Sequence, residues 1–168
     1  MPAGIGERRL VKLCLRMSPQ PTPLEELVLR AILPEDSPAA ARLSEELGYP
    51  ASAEQMKQRI RSLAKDPDRA VFVACIGDRM VGWIDVGATR HLQSDPYAEI
   101  GGLVVDGTVR SAGIGRRLVA LAETWASERG YQKMVVRSRS TRQAAHRFYL
   151  REGYELTKTS AVFSKQLT

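Results

Sequence analysis

The most chemically specific stretch of the chain is Arg110-Ser111-Ala112-Gly113-Ile114-Gly115-Arg116, between an apolar run ending at Val105 and a long amphipathic helix pattern. Glycines let a backbone approach a ligand closely, and a helix start presents unpaired N–H groups with a partial positive charge. Together these make a seat for a phosphate or pyrophosphate, to which Arg110 and Arg116 would add charge-assisted contacts. A glycine turn that does no more than cap a helix is the competing reading. A P-loop needs Lys-Ser or Lys-Thr after its last glycine, and Arg116-Arg117 stands there instead. The dinucleotide fingerprint wants a third glycine where Leu118 stands and an acidic residue about 20 positions later. The next apolar run ends in Arg137, which at best mimics an NADP site, and the repeated parallel βαβ array around such fingerprints is missing.

The charge distribution favours a compact polyphosphate ligand. The net charge is +6, yet from Arg110 to Arg151 there are ten Lys or Arg against two Glu, whereas residues 1–109 carry thirteen basic and fifteen acidic residues. Positive charge is therefore gathered around the glycine turn, and no nucleic-acid partner is expected. No run approaches the roughly 18 apolar residues of a membrane span. Lys12 interrupts the segment from Arg8 to Arg16, a poor signal-peptide core, so no membrane partner is expected either. Cys14 and Cys75 form no metal, redox or disulfide spacing, which points to a reducing, cytoplasmic setting. No carboxylate–histidine cluster has metal-ligand spacing, so no metal is expected. His91, in an expected loop, and His146 have no paired nucleophile and read as surface or packing residues; Trp83 and Trp125 read as core.

Several elements must position the turn. Residues 1–26 show no sustained periodicity and end in a Pro-rich run, which reads as a flexible arm, or as an upstream extension if Met17 is the start. The rest, 27–168, reads as one domain. A strand is expected at 27–32. Asp36-Ser37-Pro38 then opens a helix that Gly48 ends, and Ser52-Ala53-Glu54-Gln55 is a capping box for a second. Strands at 70–75 and 80–86 flank a Gly77-Asp78 turn, and a further strand spans 97–105. Ile114, Leu118, Leu121 and Trp125 make one face of a long helix that stops near Gly130. Met134-Val135-Val136 is a short buried strand, Ser140-Thr141-Arg142-Gln143 caps a last helix ending at Gly153, and 154–167 supplies one or two final strands. The order β-α-α-β-β-β-α-β-α-β-β predicts a layered α/β (α+β) domain: a mixed, mostly antiparallel sheet flanked by helices, with one right-handed parallel crossover.

Arg-x-x-Gly-x-Gly opening an amphipathic helix after a strand resembles the coenzyme A pyrophosphate loop of the GNAT N-acetyltransferases. The run from Ala145 through Phe148-Tyr149 to Gly153-Tyr154 resembles that family's second signature, and the element order is similar over about residues 27–167. The resemblance implies the acyl-CoA N-acyltransferase fold and an enzyme that uses acetyl-CoA as acyl donor. It implies that backbone groups of Leu103, Val104 and Val105 pair with the pantetheine arm. The amides of Ser111, Ala112, Gly113, Ile114, Gly115 and Arg116, with the Arg110 side chain, would hold the pyrophosphate. Arg142 stands where the family often has an Asn that contacts pantetheine, a departure that leaves Arg142 to reach a phosphate or face water. Glu99 falls at the position of a catalytic glutamate in several members, and Tyr149 at the family tyrosine.

Those two residue types suit the chemistry. A free amine titrates near roughly 10.4 and needs a base before it can attack a thioester, a role for Glu99 directly or through water. The departing thiolate, whose acid titrates near about 8.5, needs the proton or hydrogen bond that a tyrosine hydroxyl supplies. Backbone N–H groups near Leu103 or Val104 would stabilise the oxyanion, with Gly101-Gly102 permitting a bulge that re-aims them. The expected acceptor is a small-molecule primary amine lying among the helices of 36–64, a loop at 89–96 and the C-terminal hairpin. Asp85, Asp95 and Glu99 would attract a cationic substrate. A protein or peptide amine, and a non-catalytic acyl-CoA sensor, are the alternatives, with a dinucleotide module behind them; a homodimer is left open.

Overall fold

A computed structural model describes residues 26–110 and 112–167 of the chain. Five strands form one sheet: β1 (Leu27–Ala31), β2 (Arg69–Ile76), β3 (Arg79–His91), β4 (Ser94–Val105) and β5 (Met134–Val136). Their spatial order follows the chain, β1-β2-β3-β4-β5, antiparallel throughout except for the parallel β4–β5 pair. Two helices, α1 (Ser37–Glu46) and α2 (Ala53–Leu63), join β1 to β2. Helix α3 (Ile114–Glu128) carries the crossover from β4 to β5, and α4 (Gln143–Arg151) follows β5.

The period-2 alternation of the strands divides the core between the two faces of the sheet. On one face Ala74, Val81, Ile84, Val86, Ala98 and Ile100 meet the buried stripe of α3, namely Ile114, Leu118, Val119, Ala122, Trp125 and Ala126. On the other, Val73, Cys75, Met80 and Val104 meet Ala40 and Leu43 of α1. Each fully buried Leu or Ile contributes roughly 1.5–3 kcal/mol of transfer free energy. Trp125 is core as expected, while Trp83 is half-buried against the α1 side. Ser52 caps α2 through the Gln55 amide, and the Gln55 side chain answers to the Ser52 amide, which is the capping box read in the sequence.

Three expectations change. The loop expected at 89–96 is mostly strand: β3 and β4 run on to a hairpin turn at Leu92-Gln93, with Thr89 opposite Tyr97 and His91 opposite Ser94. Pro96 is tolerated because the register slips between Thr89 and His91, where no ladder donor is required of it. His91 is therefore a strand-end residue. Second, α4 starts at Gln143 with Arg142 as its cap residue and no side-chain cap bond, so Ser140 and Thr141 do not cap it. Third, residues 154–167 form no strand; after Tyr154, whose hydroxyl bonds Glu123 at 3.0 Å, they are exposed, Phe163 to 93%. A strand is stabilised by its neighbour, and the three residues of β5 offer a short ladder to join. The arm at 1–26 lies, but for Glu26, outside the described residues, as does Cys14.

Candidate active site

The strand β4 bends where it leaves its neighbour. Asp85 pairs with Gly102 and the next residue, Val86, with Ile100, so Gly101 is an extra residue on β4: a bulge at the diglycine. A side chain at Gly101 would bring its Cβ to 2.7 Å from Asp85 Oδ2, so the Arg69–Asp85 pair would have to shift to admit it. Pairing of β4 with β5 covers only Ala98–Ile100 and Met134–Val136, then stops at the bulge. Beyond it the two strands part and leave a cleft of about 100 Å³ between Ile100–Leu103 and Val136–Arg139, with Leu47, Tyr49, Arg142, Ala145 and Tyr149 completing its walls. The edge of β4 through Leu103, Val104 and Val105 pairs with β3 on one side, opposite Ile84, Trp83 and Gly82, and among the described residues has no strand partner on the other. Unpaired edge N–H and C=O groups of that kind accept an extended chain as an added strand.

At the far end of that edge the chain turns into α3. Asp106, with its side chain 3% exposed, accepts from the Thr108 amide at 2.9 Å and the Thr108 hydroxyl at 2.7 Å. It also accepts from Arg79 at 2.7 Å and Arg42 at 3.0 Å. These donors hold its carboxyl well below the ordinary carboxylate range, the Thr108 bonds foremost. The buried ion cluster fixes the 3-10 turn Gly107–Val109 that leads to Arg110. Gly113 caps α3 at φ +76, a left-handed conformation that glycine adopts without penalty. Arg117 is the first residue to donate to a helical carbonyl, that of Gly113, so the amides of Ile114, Gly115 and Arg116 have no acceptor in the helix. Apart from its chain neighbours, no atom of the described residues lies within 4 Å of where a Cβ on Gly113 would stand. Amides without a helical acceptor at a helix start fit a diphosphate, so the residues present suit coenzyme A. Arg110 is turned back, its Nε 3.4 Å from the Val105 carbonyl and its guanidinium 3.6 Å from Glu46, while Arg116 lies 3.6 Å from Glu152. Ala112 is half-buried beside the turn, and Ser111 lies outside the described residues.

Glu99 lines an adjoining cavity of about 230 Å³ with Arg69, Gly87, Ala88, Thr89 and Gly101, and Gly101 also borders the first cleft. Its carboxylate accepts from Arg137 Nε at 2.8 Å and from the Thr89 hydroxyl at 3.3 Å. Tyr149 enters the first cleft from α4, packed edge-on against Phe148 and Tyr154 at 5.1 and 5.5 Å between ring centroids. Among the described residues its hydroxyl has no hydrogen-bond partner. Burial pushes its pKa up to about 12, offset in part by the nearby Arg142 charge. Arg142 is half-buried, and its guanidinium donates to the Leu47 carbonyl across the cleft. Of the expected acidic attractants, Asp85 is paired with Arg69 at 2.8 Å and Glu99 with Arg137, while Asp95 is exposed at the start of β4.

Sequence reasoning missed the residues that roof the cleft. Tyr49 and Leu47 come from the α1–α2 connection, and Arg139 donates to the Tyr49 hydroxyl at 3.3 Å while lying 5.4 Å from its ring centroid. Arg137 and Arg139 belong to the basic stretch noted in the sequence, but nothing local tells which face of the sheet they take. His146 acts as a packing residue, its Nε2 3.0 Å from the Arg139 carbonyl. Among the described residues no group of three or more His, Cys, Asp or Glu is placed to hold a metal, and no helix is long and apolar enough to cross a membrane.

Comparison with known proteins agrees with this geometry. The chain is 30% identical over 145 residues to an aminoglycoside N(6')-acetyltransferase type 1 of Stenotrophomonas maltophilia, covering 83% of this chain and 93% of that protein. It is 36% identical over 91 residues to an aminoalkylphosphonate N-acetyltransferase of Salmonella typhimurium, covering 54% of this chain and 59% of that one. In fold it is similar to an aminoglycoside acetyltransferase from an uncultured soil metagenomic sample, solved with sisomicin, at a TM-score of 0.69 and 21% identity over 86% of this chain and 98% of the other. The model of the acetyltransferase (GNAT) family matches residues 29–154, which span the bulged strand, the glycine turn and both signature helices, and the chain therefore belongs to that family of acetyl-CoA-dependent N-acetyltransferases.

Proposed function

We propose that the domain 27–168 transfers an acetyl group from acetyl-CoA to a primary amine of a small molecule by direct attack. The observation that carries this reading is the parting of β4 from β5 at the Gly101 bulge, which leaves an unpaired strand edge running into the open turn at the start of α3. Backbone groups of Leu103, Val104 and Val105 would bind the pantetheine arm. The amides from Ser111 to Arg116 would take the pyrophosphate, with Arg110 swinging out from Glu46 to join them and Arg142 beside the acyl end. When bound, acetyl-CoA supplies an acetyl group activated as a thioester.

The residues of the chain do the rest. Glu99 accepts a proton from the acceptor ammonium, directly or through a water, and leaves a lone pair on nitrogen. The new N–C bond then forms as the C–S bond breaks. N–H groups of β4 at the bulge donate to the acyl oxygen as it gains charge. Tyr149, kept protonated by burial, donates its hydroxyl hydrogen to the departing sulfur and regains a proton from the nitrogen, which sheds its second hydrogen as the amide forms. Both curated relatives are named for small-molecule amines, an aminoglycoside and an aminoalkylphosphonate, which supports a small acceptor over a protein one. The proposed setting is the cytoplasm, since Cys75 is a free, buried thiol.

The test is thiol release from acetyl-CoA by the purified chain across a panel of small amines, a lysine-containing peptide and a lysine-rich protein. Turnover with small amines alone supports the proposal. Turnover confined to the peptide or protein makes it a protein acetyltransferase, and binding of acetyl-CoA without turnover on any amine makes it a sensor.

A further inference from the structure

The charge around the proposed reaction site points to a narrower substrate class. The cleft is lined by three guanidiniums, of Arg137, Arg139 and Arg142, and by no carboxylate. Arg137 is satisfied by Glu99 at 2.8 Å. Among the described residues Arg139 and Arg142 have no carboxylate within ion-pair range; Arg139 lies over the Tyr49 ring, and Arg142 holds the Leu47 carbonyl. In the adjoining cavity Arg69 neutralises Asp85. Glu99, the acidic residue on the walls of the two cavities, is therefore matched by Arg137, Arg69 is matched by Asp85 beside them, and the charges of Arg139 and Arg142 are left over. The donor diphosphate does not account for Arg139, because no residue of the glycine turn borders this cleft and that turn carries its own Arg110, Arg116 and Arg117, while Arg142 stands beside the acyl end.

A polycationic acceptor would meet net repulsion here. The Tyr49 ring and hydroxyl and the His146 contact to its carbonyl hold Arg139 on the cleft wall, where one terminal nitrogen donates to Tyr49 and the other N–H groups, without a partner among the described residues, can meet an anion. Resting on the acetyltransferase reading above, we propose that the acceptor is a small amine that also carries an anionic oxyacid group, a carboxylate or phosphonate. Its amine lies toward Glu99 and its anion is bound by Arg139, with Arg142 behind it.

The experiment compares kcat/KM for 2-aminoethylphosphonate, β-alanine, ethanolamine and sisomicin, using the full chain at saturating acetyl-CoA. At least one anionic amine should exceed both ethanolamine and sisomicin tenfold or more. Arg139→Gln should cut the anionic-to-ethanolamine ratio roughly 10- to 100-fold, the value of a lost charge-assisted hydrogen-bond pair, with Arg139→Lys recovering part of it. The change should fall on the acceptor's KM, and the preference should weaken as salt is raised. Ethanolamine or sisomicin matching the anionic amines would overturn the proposal. So would an unchanged ratio in Arg139→Gln, or a shift in the acetyl-CoA KM instead, which would assign the arginines to the donor. If no amine turns over, the catalytic reading fails separately. Calorimetric titration of 2-aminoethylphosphonate and β-alanine into protein saturated with CoA then decides: binding lost in Arg139→Gln upholds the anion site, and no binding refutes it.

Discussion

Replacing Asp106 with alanine should destabilise the fold and loosen the seat of the diphosphate together. The carboxylate is nearly inaccessible and accepts four hydrogen bonds, two from Thr108 and one each from Arg79 and Arg42. Removing one partner of a buried ion pair typically costs about 3–5 kcal/mol. Here the arginine side chains are 54% and 46% exposed and regain water when freed, which lowers the expected cost to about 2–3 kcal/mol. For a chain of this length that corresponds to a fall in Tm of roughly 4–12 °C. Asp106→Asn, which keeps an acceptor but not the charge, should fall between. Because the folded-state carboxyl is held below its unfolded value, its contribution is present above about pH 4 and is lost as pH drops below that. The gap in Tm between wild type and Asp106→Ala, measured by calorimetry, should therefore be largest near neutrality and shrink toward pH 3. Since the same carboxylate fixes the turn before Arg110, the KM for acetyl-CoA should rise in both variants. A Tm change below 1 °C at pH 7, or a gap that widens on acidification, would refute the reasoning.

Further expectations concern the proposed chemistry and the strand that supports it. Glu99→Gln should lower kcat by about a hundredfold or more, with the greatest loss at low pH where the amine is hardest to deprotonate; an unchanged pH–rate profile removes Glu99 from the mechanism. Tyr149→Phe should lower kcat about tenfold or more with acetyl-CoA binding retained. Because burial raises that hydroxyl to about 12, the wild-type rate should show no decline from its ionisation up to roughly pH 10. Gly82→Ala would bring a Cβ to 2.9 Å from the Val104 carbonyl and 3.3 Å from Leu118, so it should cost about 1–3 kcal/mol and raise the acetyl-CoA KM by displacing β4; an unaltered melting curve contradicts that packing.

The parts of this molecule governed by local rules were legible in the sequence. The capping box at Ser52, the α3 stripe from Ile114 to Trp125 and the glycine turn at Gly113 follow from spacing and backbone freedom within a few residues, and the diglycine at 101–102 announced its bulge for the same reason. What failed depended on distant partners. The extension of β3 to His91 needs Tyr97 and Ser94 opposite it, and polar residues around Pro96 hid that pairing. The tail after Tyr154 has strand-like composition but finds no neighbour. Electrostatics were the least legible. Asp85 and Glu99 read as attractants for a cation until Arg69 and Arg137, 16 and 38 residues away in sequence, were seen to neutralise them. The roof of the cleft joins Tyr49 to Arg139 across 90 residues, a juxtaposition that no periodicity encodes.

The most direct test of the account is calorimetric titration of acetyl-CoA into wild-type protein and into Gly113→Asp. The variant places a carboxylate at the start of α3, at a position whose φ also disfavours any side chain. Like charges about 4 Å apart repel by about 4 kcal/mol at an effective dielectric of 20. Wild type should bind one acetyl-CoA per chain, and Gly113→Asp should bind at least about a hundredfold more weakly while retaining a cooperative melt. Equal affinity in the two proteins would mean that the amides at the start of α3 do not hold the diphosphate.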